Sequence, residues 1–191
     1  LPDVVTLPQL FRTHGWRSVR AGKMYHMDVP GSVGTNQWDD PPSWDVAISP
    51  PGQAQRTAGQ GRNITAGKSP ARWDAIAFSG DGKEQADERA TGIAIETMNR
   101  HRDEAWFLGL GYLRPHLPHV APGRFFDLYP LDAIRPVVNP RGDLDDIPLA
   151  SEIAINTRAR DMGMNERDKQ EAIRAYYASV SYMDWQVGRV L

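Results

Sequence analysis

Two short stretches of this 191-residue chain hold side chains suited to chemistry. One is Gly22-Lys23-Met24-Tyr25-His26. A glycine at the end of a strand lets backbone approach a ligand closely. Lys23 adds a point positive charge, and His26 a titratable donor close by. Such a pair suits an oxyanion such as sulfate or phosphate. The plainer reading, a solvated Lys23 and a His26 that caps a turn, is the commoner outcome for these residue types. The other stretch is Arg114-Pro115-His116-Leu117-Pro118-His119. Its prolines stiffen the backbone, so the side chains are held in place. His116 and His119 are three apart, which invites a zinc reading. That spacing joins two imidazoles on a helix, however, and Pro118 argues against a helix here. No third ligand is obvious nearby. One working histidine in a rigid loop, poised for proton transfer, is the alternative. Two ordinary turn residues are the plain one.

Carboxylates gather at Asp39-Asp40 and at Asp143, Asp145 and Asp146. Such groups can bind calcium, but in Pro/Gly-rich loops they are more often solvated turn residues, which is the reading taken here. Asp184 lies beside the apolar stripe of a long helix and reads as a hydrogen-bonded structural residue. The chain has no cysteine. Disulfides, Cys-ligated zinc and a thiol nucleophile are therefore excluded within it. Asn63-Ile64-Thr65 fits the glycosylation sequon, a triplet that arises often by chance.

The elements that must position these residues follow from local signals. Thr6 as cap, Pro8 in the first turn and Gln9 three residues past the cap predict a helix with Leu7, Leu10 and Phe11 as its apolar face. Gly15 stops it. Trp16 to Ala21 predicts a short strand ending at Gly22-Lys23. From Met27 to about Gly82 the chain reads as mostly irregular, broken by prolines and glycines. A loop that long usually has a job. Trp38, Trp44 and Trp73 would anchor it over a site. Gln85 to Arg102 predicts an amphipathic helix with Ala86, Ala90, Ile93, Ala94 and Met98 on one face. It feeds a buried strand over 105–110, an α/β signal. The His116 loop then leaves the C-terminal end of that strand, the edge where open α/β sheets bind ligands. Phe125 to Tyr129 predicts a short helical turn, and Pro130 to Pro148 a loop. Asn165 caps a last helix reaching Leu191, with Ile173, Tyr176, Tyr177, Val180, Met183, Val187 and Val190 or Leu191 as its buried stripe.

The bulk properties bound the rest. With 40% hydrophobic residues the chain can bury one core. Its 22 basic and 24 acidic residues, net charge −2, give no pull toward nucleic acid or an anionic membrane. No apolar run approaches the roughly 18 residues of a membrane-spanning helix. Neither end carries a start or stop signal, so both are expected to be internal to a longer protein.

Taken together, these segments resemble the sulfatases, specifically the iduronate-2-sulfatase-like branch. The matching stretches, in the family's order, are Thr6 to Trp16, Gly22 to His26, Pro41 to Trp44 and Gly109 to Pro118. Val120 to Pro122, Asp127 to Pro130, Tyr176 to Asp184 and Gln186 to Arg189 follow. The resemblance implies an α/β, alkaline-phosphatase-like fold, a mixed sheet with helices on both faces, present here as part of one catalytic domain over residues 1–191. It also implies hydrolysis of sulfate esters on a small molecule or glycan. The nucleophile would be a formylglycine made by a formylglycine-generating enzyme, with a calcium ion polarising the sulfate. By the same resemblance, Lys23 contacts the sulfate and the nucleophile, and His26 hydrogen-bonds the formylglycine hydroxyl. His116 binds a sulfate oxygen and protonates the leaving alcohol. Arg114, where many relatives carry Lys, touches the substrate. His119 receives no role. Relatives are exported to periplasm, extracellular space or lysosome.

The family's Cys/Ser-x-Pro-x-Arg motif is not in this stretch, and Ser69-Pro70-Ala71-Arg72 has the wrong spacing. Nor are the calcium ligands, so no metal ligand is expected among these residues and the fragment alone is expected to be inactive. Two other readings stay open. One is a phosphatase or phosphonate monoester hydrolase of the same superfamily. The other is a non-catalytic relative that holds a glycan in the Trp-rich loop.

Overall fold

The computed structural model describes residues 3–27, 29, 31–52, 60–64, 74–78, 80–138, 140–143, 145–156 and 164–191, with backbone alone for 60, 61, 74, 76, 78, 152 and 154–156. Trp73, Ser69 to Arg72 and Thr65 of the sequon lie outside the described residues.

Helix α1 covers Leu7–Thr13, and the Gln9 N–H donates to Thr6 Oγ1 at 3.3 Å, the cap its sequence predicts. Only part of its expected apolar face turns inward. Leu7 and Leu10 are exposed, while Phe11 stacks on Phe107 at 4.9 Å. A seven-residue helix turns one narrow stripe inward, here the buried Pro8 and the half-buried Phe11. Gly15, at φ +82°, makes the left-handed turn into strand β1, Arg17–Gly22.

Strand β1 is the middle of a three-stranded parallel sheet. On one side lies β2, Val46–Ile48, and on the other β5, Trp106–Gly111. Strand β5 is where the apolar run predicts it, yet it is mostly half-buried. The segment after Met27 is less irregular than its prolines suggest. It holds a one-turn 3-10 helix over Pro41–Ser43, strand β2, and two further strands, β3 (Gln60–Asn63) and β4 (Asp74–Phe78). Gln-Gly-Arg-Asn has poor intrinsic strand preference; its pairing with β4 makes it a strand. Trp44 is buried as an anchor, as expected. Trp38 is not: its indole is 73% exposed and its backbone sits at φ 62°.

The second sheet runs β3-β4-β6, where β6 is His119–Pro122. Strands β3 and β4 are antiparallel, β4 and β6 parallel. The α/β class is as expected, but the described strands form two three-stranded sheets in place of one central mixed sheet, because no described strand bridges their edges. Strand β6 is also new, hidden by its prolines until it pairs with β4.

Helix α2, Ala86–Arg100, packs on β1 and β5. Helix α3 is the turn Gly123–Phe126, and α4, Leu149–Asn156, follows Pro148. Helix α5, Glu166–Val190, starts on the predicted cap: Asn165 and Asp168 exchange backbone-to-side-chain hydrogen bonds of 2.8 and 3.2 Å. Its buried stripe differs from expectation. Tyr176 and Tyr177 are both half-exposed, and the residues facing the core are Ala172, Ala175, Ala178, Ser179, Tyr182 and Gln186. Small side chains let the helix lie close on β4 and β6, where Ala121, Phe125, Phe126, Ala175, Ala178 and Tyr182 form the core. Asp184, expected to be a bonded structural residue, faces solvent.

Candidate active site at the ends of β1 and β5

Because β1 and β5 are parallel neighbours in register at Gly22 and Gly111, the Lys23 turn and the His116 loop leave the same edge of one sheet. The two are stitched together: Lys23 N–H donates to Gly111 O at 2.8 Å. The approach is close enough that a Cβ on Gly111 would overlap the Lys23 carbonyl, and one on Gly22, at φ +78°, would overlap Gly111 O. Lys23 is half-buried, and His26, three residues on, is exposed.

The His116 loop is braced by its own backbone and by α2. His116 N–H donates to Leu113 O at 2.8 Å. Arg114 is 4% exposed, and its Nε donates to Val120 O at 3.0 Å. Its Nη1 reaches His116 O at 3.4 Å. Burial lowers the pKa of this guanidinium, an effect that the Asp87 charge opposes. The sequence reading gave Arg114 to the substrate. Here its Nε and Nη1 donate to carbonyls of β6 and the loop, so it spans the loop's two ends.

His116 itself is exposed, with Nδ1 2.6 Å from Leu117 O. A carbonyl only accepts, so Nδ1 carries the hydrogen and Nε2 is left to face a ligand. His119 has a different fate. It starts β6, is 4% exposed and stands edge-on to Tyr176 at 5.6 Å. Burial, helped by the Arg114 charge, pushes its pKa down to about 4. One imidazole is thus in solvent on a loop and the other neutral in a strand, and the two do not form a zinc pair.

Asp39 is not a solvated turn residue. With its side chain 9% exposed, it pairs with the buried Arg20 at 2.9 Å and accepts from Trp44 Nε1 at 3.1 Å. Arg20 also donates to Asn36 Oδ1, Ser49 Oγ and Gly22 O. This guanidinium secures the turn that leads to Lys23. Asp143, Asp145 and Asp146 are exposed turn residues, as read. Among the described residues no three His, Asp or Glu side chains gather around a point that could hold a metal ion. The described carboxylates therefore do not fit a calcium site. Asp87 was missed by sequence reading; an acidic residue in a helix's first turn looks like ordinary charge–dipole design.

Three curated proteins align with nearly all of the chain. A sulfatase of Formosa agariphila is 30% identical over 99% of this chain and 38% of its own length. The iduronate 2-sulfatases of Homo sapiens and Mus musculus are 31% and 30% identical, each over 97% of this chain and 36% of its own length. No family model matches. The chain spans a little over a third of the length of the curated relatives it matches. Its likeness is to the sulfatase family. Within that family it is to the iduronate-2-sulfatase-like branch, as the ordered motifs implied.

Proposed function

We propose that this chain is the part of a sulfuric ester hydrolase that holds the sulfate and protonates the leaving group. The observation that carries the reading is the hydrogen bond from Lys23 N–H to Gly111 O, 2.8 Å, which ties the Lys23 turn to the start of the His116 loop at one sheet edge. The alignment with sulfatases over nearly the whole chain supports reading that edge as a sulfate site.

In this reading Lys23 neutralises charge on the sulfate oxygens. His26, on the same turn, hydrogen-bonds the hydroxyl of the nucleophile. His116 works through Nε2. Its Nδ1–H is occupied by Leu117 O, so the protonated ring has one proton to give outward. As the bond between sulfur and the ester oxygen breaks, that proton passes to the departing oxygen and the alcohol leaves neutral. A formylglycine would supply the attacking oxygen, and a calcium ion would polarise the sulfate; both belong to a longer protein of the alkaline-phosphatase-like fold. Such a protein would be matured by a formylglycine-generating enzyme and exported to periplasm, extracellular space or lysosome. A sulfated sugar is the proposed substrate class. The exposed indole of Trp38 lines the same small cleft as Lys23 and offers a sugar ring an apolar face.

The test is an assay of the full-length protein, co-expressed with formylglycine-generating enzyme, on an aryl sulfate and an aryl phosphate. Calcium-dependent sulfate release is expected, and His116→Ala should lower it by about 10²-fold or more. Phosphate release alone would move the protein to the phosphatase or phosphonate side. Turnover of neither, with formylglycine confirmed by mass spectrometry, would favour a glycan-binding relative.

A further inference from the structure

Helix α2 ends its first turn against the His116 loop. Asp87, 4% exposed, accepts the backbone N–H of Leu113 at 2.7 Å and of Arg114 at 3.1 Å. A turn further on, Thr91 Oγ1 donates to Asp87 O at 3.1 Å and lies 3.0 Å from Tyr112 Oη. With its own hydrogen so used, Thr91 accepts from the tyrosine. Three consecutive loop residues, Tyr112, Leu113 and Arg114, are therefore held by one face of α2. The Asp87 side chain also lines a cavity of about 10 Å³, one water's worth of space, with Gly22, Lys23, Gly111 and Leu113.

We infer that Asp87 is a positioning residue for the proposed sulfatase site: its buried carboxylate fixes the backbone from which His116 presents Nε2, and it does so beneath the Lys23 turn. The inference rests on the function proposed above. A carboxylate is suited to this task because two convergent N–H groups need two acceptor oxygens. The α2 dipole and the neighbouring Arg114 guanidinium favour its charge. Burial works the other way and raises its pKa. Such a group persists only when its hydrogen bonds are complete. Asp87 touches no reacting atom in this scheme. It acts through Leu113 and Arg114, whose carbonyl and guanidinium in turn hold His116 N–H and His116 O.

The experiment uses the full-length protein and Asp87→Asn, which keeps side-chain volume but leaves one N–H without an acceptor. Asp87→Glu restores both acceptors on a longer arm and serves as the conservative control. Rates are measured on aryl sulfates whose phenol leaving groups span a wide range of pKa. If Asp87 positions the acid, Asp87→Asn costs little on good leaving groups and about tenfold or more extra on poor ones, which need the proton most. Asp87→Glu recovers part of that. A uniform loss across the series, as a merely destabilised enzyme would give, overturns the inference, and so does no loss. Nitrogen-15 shifts of the His116 ring, read in the same proteins, do not depend on turnover. Loss of the Nδ1–H tautomer in Asp87→Asn supports the positioning role even if no sulfate ester is cleaved; its retention overturns it.

Discussion

His119 and His116 lie three residues apart, one buried at the start of β6 and the other exposed on the loop before it. His119 is held at a pKa of about 4 within the fold, against about 6.5 in an unfolded chain. Between these values the unfolded state binds a proton that the folded state does not. Stability from this residue is thus fully present above about pH 6.5 and is lost as pH falls toward 4. The loss should be roughly 2–4 kcal/mol. Asp87, whose pKa is raised by burial, pulls in the opposite direction on acidification. The comparison must therefore isolate the histidine. Denaturant unfolding of wild type and His119→Gln at pH 7 and pH 4 should show their stability difference shrinking by that amount. A difference unchanged with pH would mean that His119 titrates normally. The tautomer of His116 belongs to this scale too, and rests on the single acceptor that Leu117 O offers its Nδ1.

At the scale of elements, helix α5 is the informative case. The large apolar residues predicted a stripe through Tyr176, Tyr177 and Val180, but the helix turns its alanines inward and leaves both tyrosines half-exposed. Close packing on β4 and β6 explains this, since a tyrosine in place of Ala178 would push the helix off the sheet. Ala178→Leu should therefore destabilise the fold by about 1–3 kcal/mol through overpacking. Tyr177→Ser, at a position where a large apolar residue looks buried in sequence, should cost no more than about 1 kcal/mol. Thermal unfolding of the two variants decides between the stripes, and the reverse order would restore the predicted one.

For the whole molecule, the distant pairings matter most. Arg20 and Asp39 are both nearly buried and join β1 to the proline-rich segment that contributes Asn36, Trp44 and Ser49. Removing one partner leaves the other charged and out of water. Asp39→Ala should cost about 3–5 kcal/mol, and the double variant Arg20→Met/Asp39→Leu should recover most of it. Urea midpoints of the single and double variants measure both, and equal midpoints for all would show the pair to be solvated.

Much of this protein was legible one residue at a time. The caps Thr6 and Asn165, the turn at Gly15, strand β1 and helix α2 depend on residues within about four positions of one another, so local chemistry determined them. The same is true of the Lys23 and His116 stretches, whose ordered motifs carried the sulfatase likeness. Strands β3, β4 and β6, the alanine face of α5 and the committed Arg114 and Asp39 were not legible. Each depends on what another part of the chain places opposite it: β3 needs β4, α5 needs the second sheet, and Asp87 meets Leu113 and Arg114 across 26 and 27 residues. Only tertiary structure decided those, because burial and hydrogen-bond satisfaction are properties of an environment and not of a residue type.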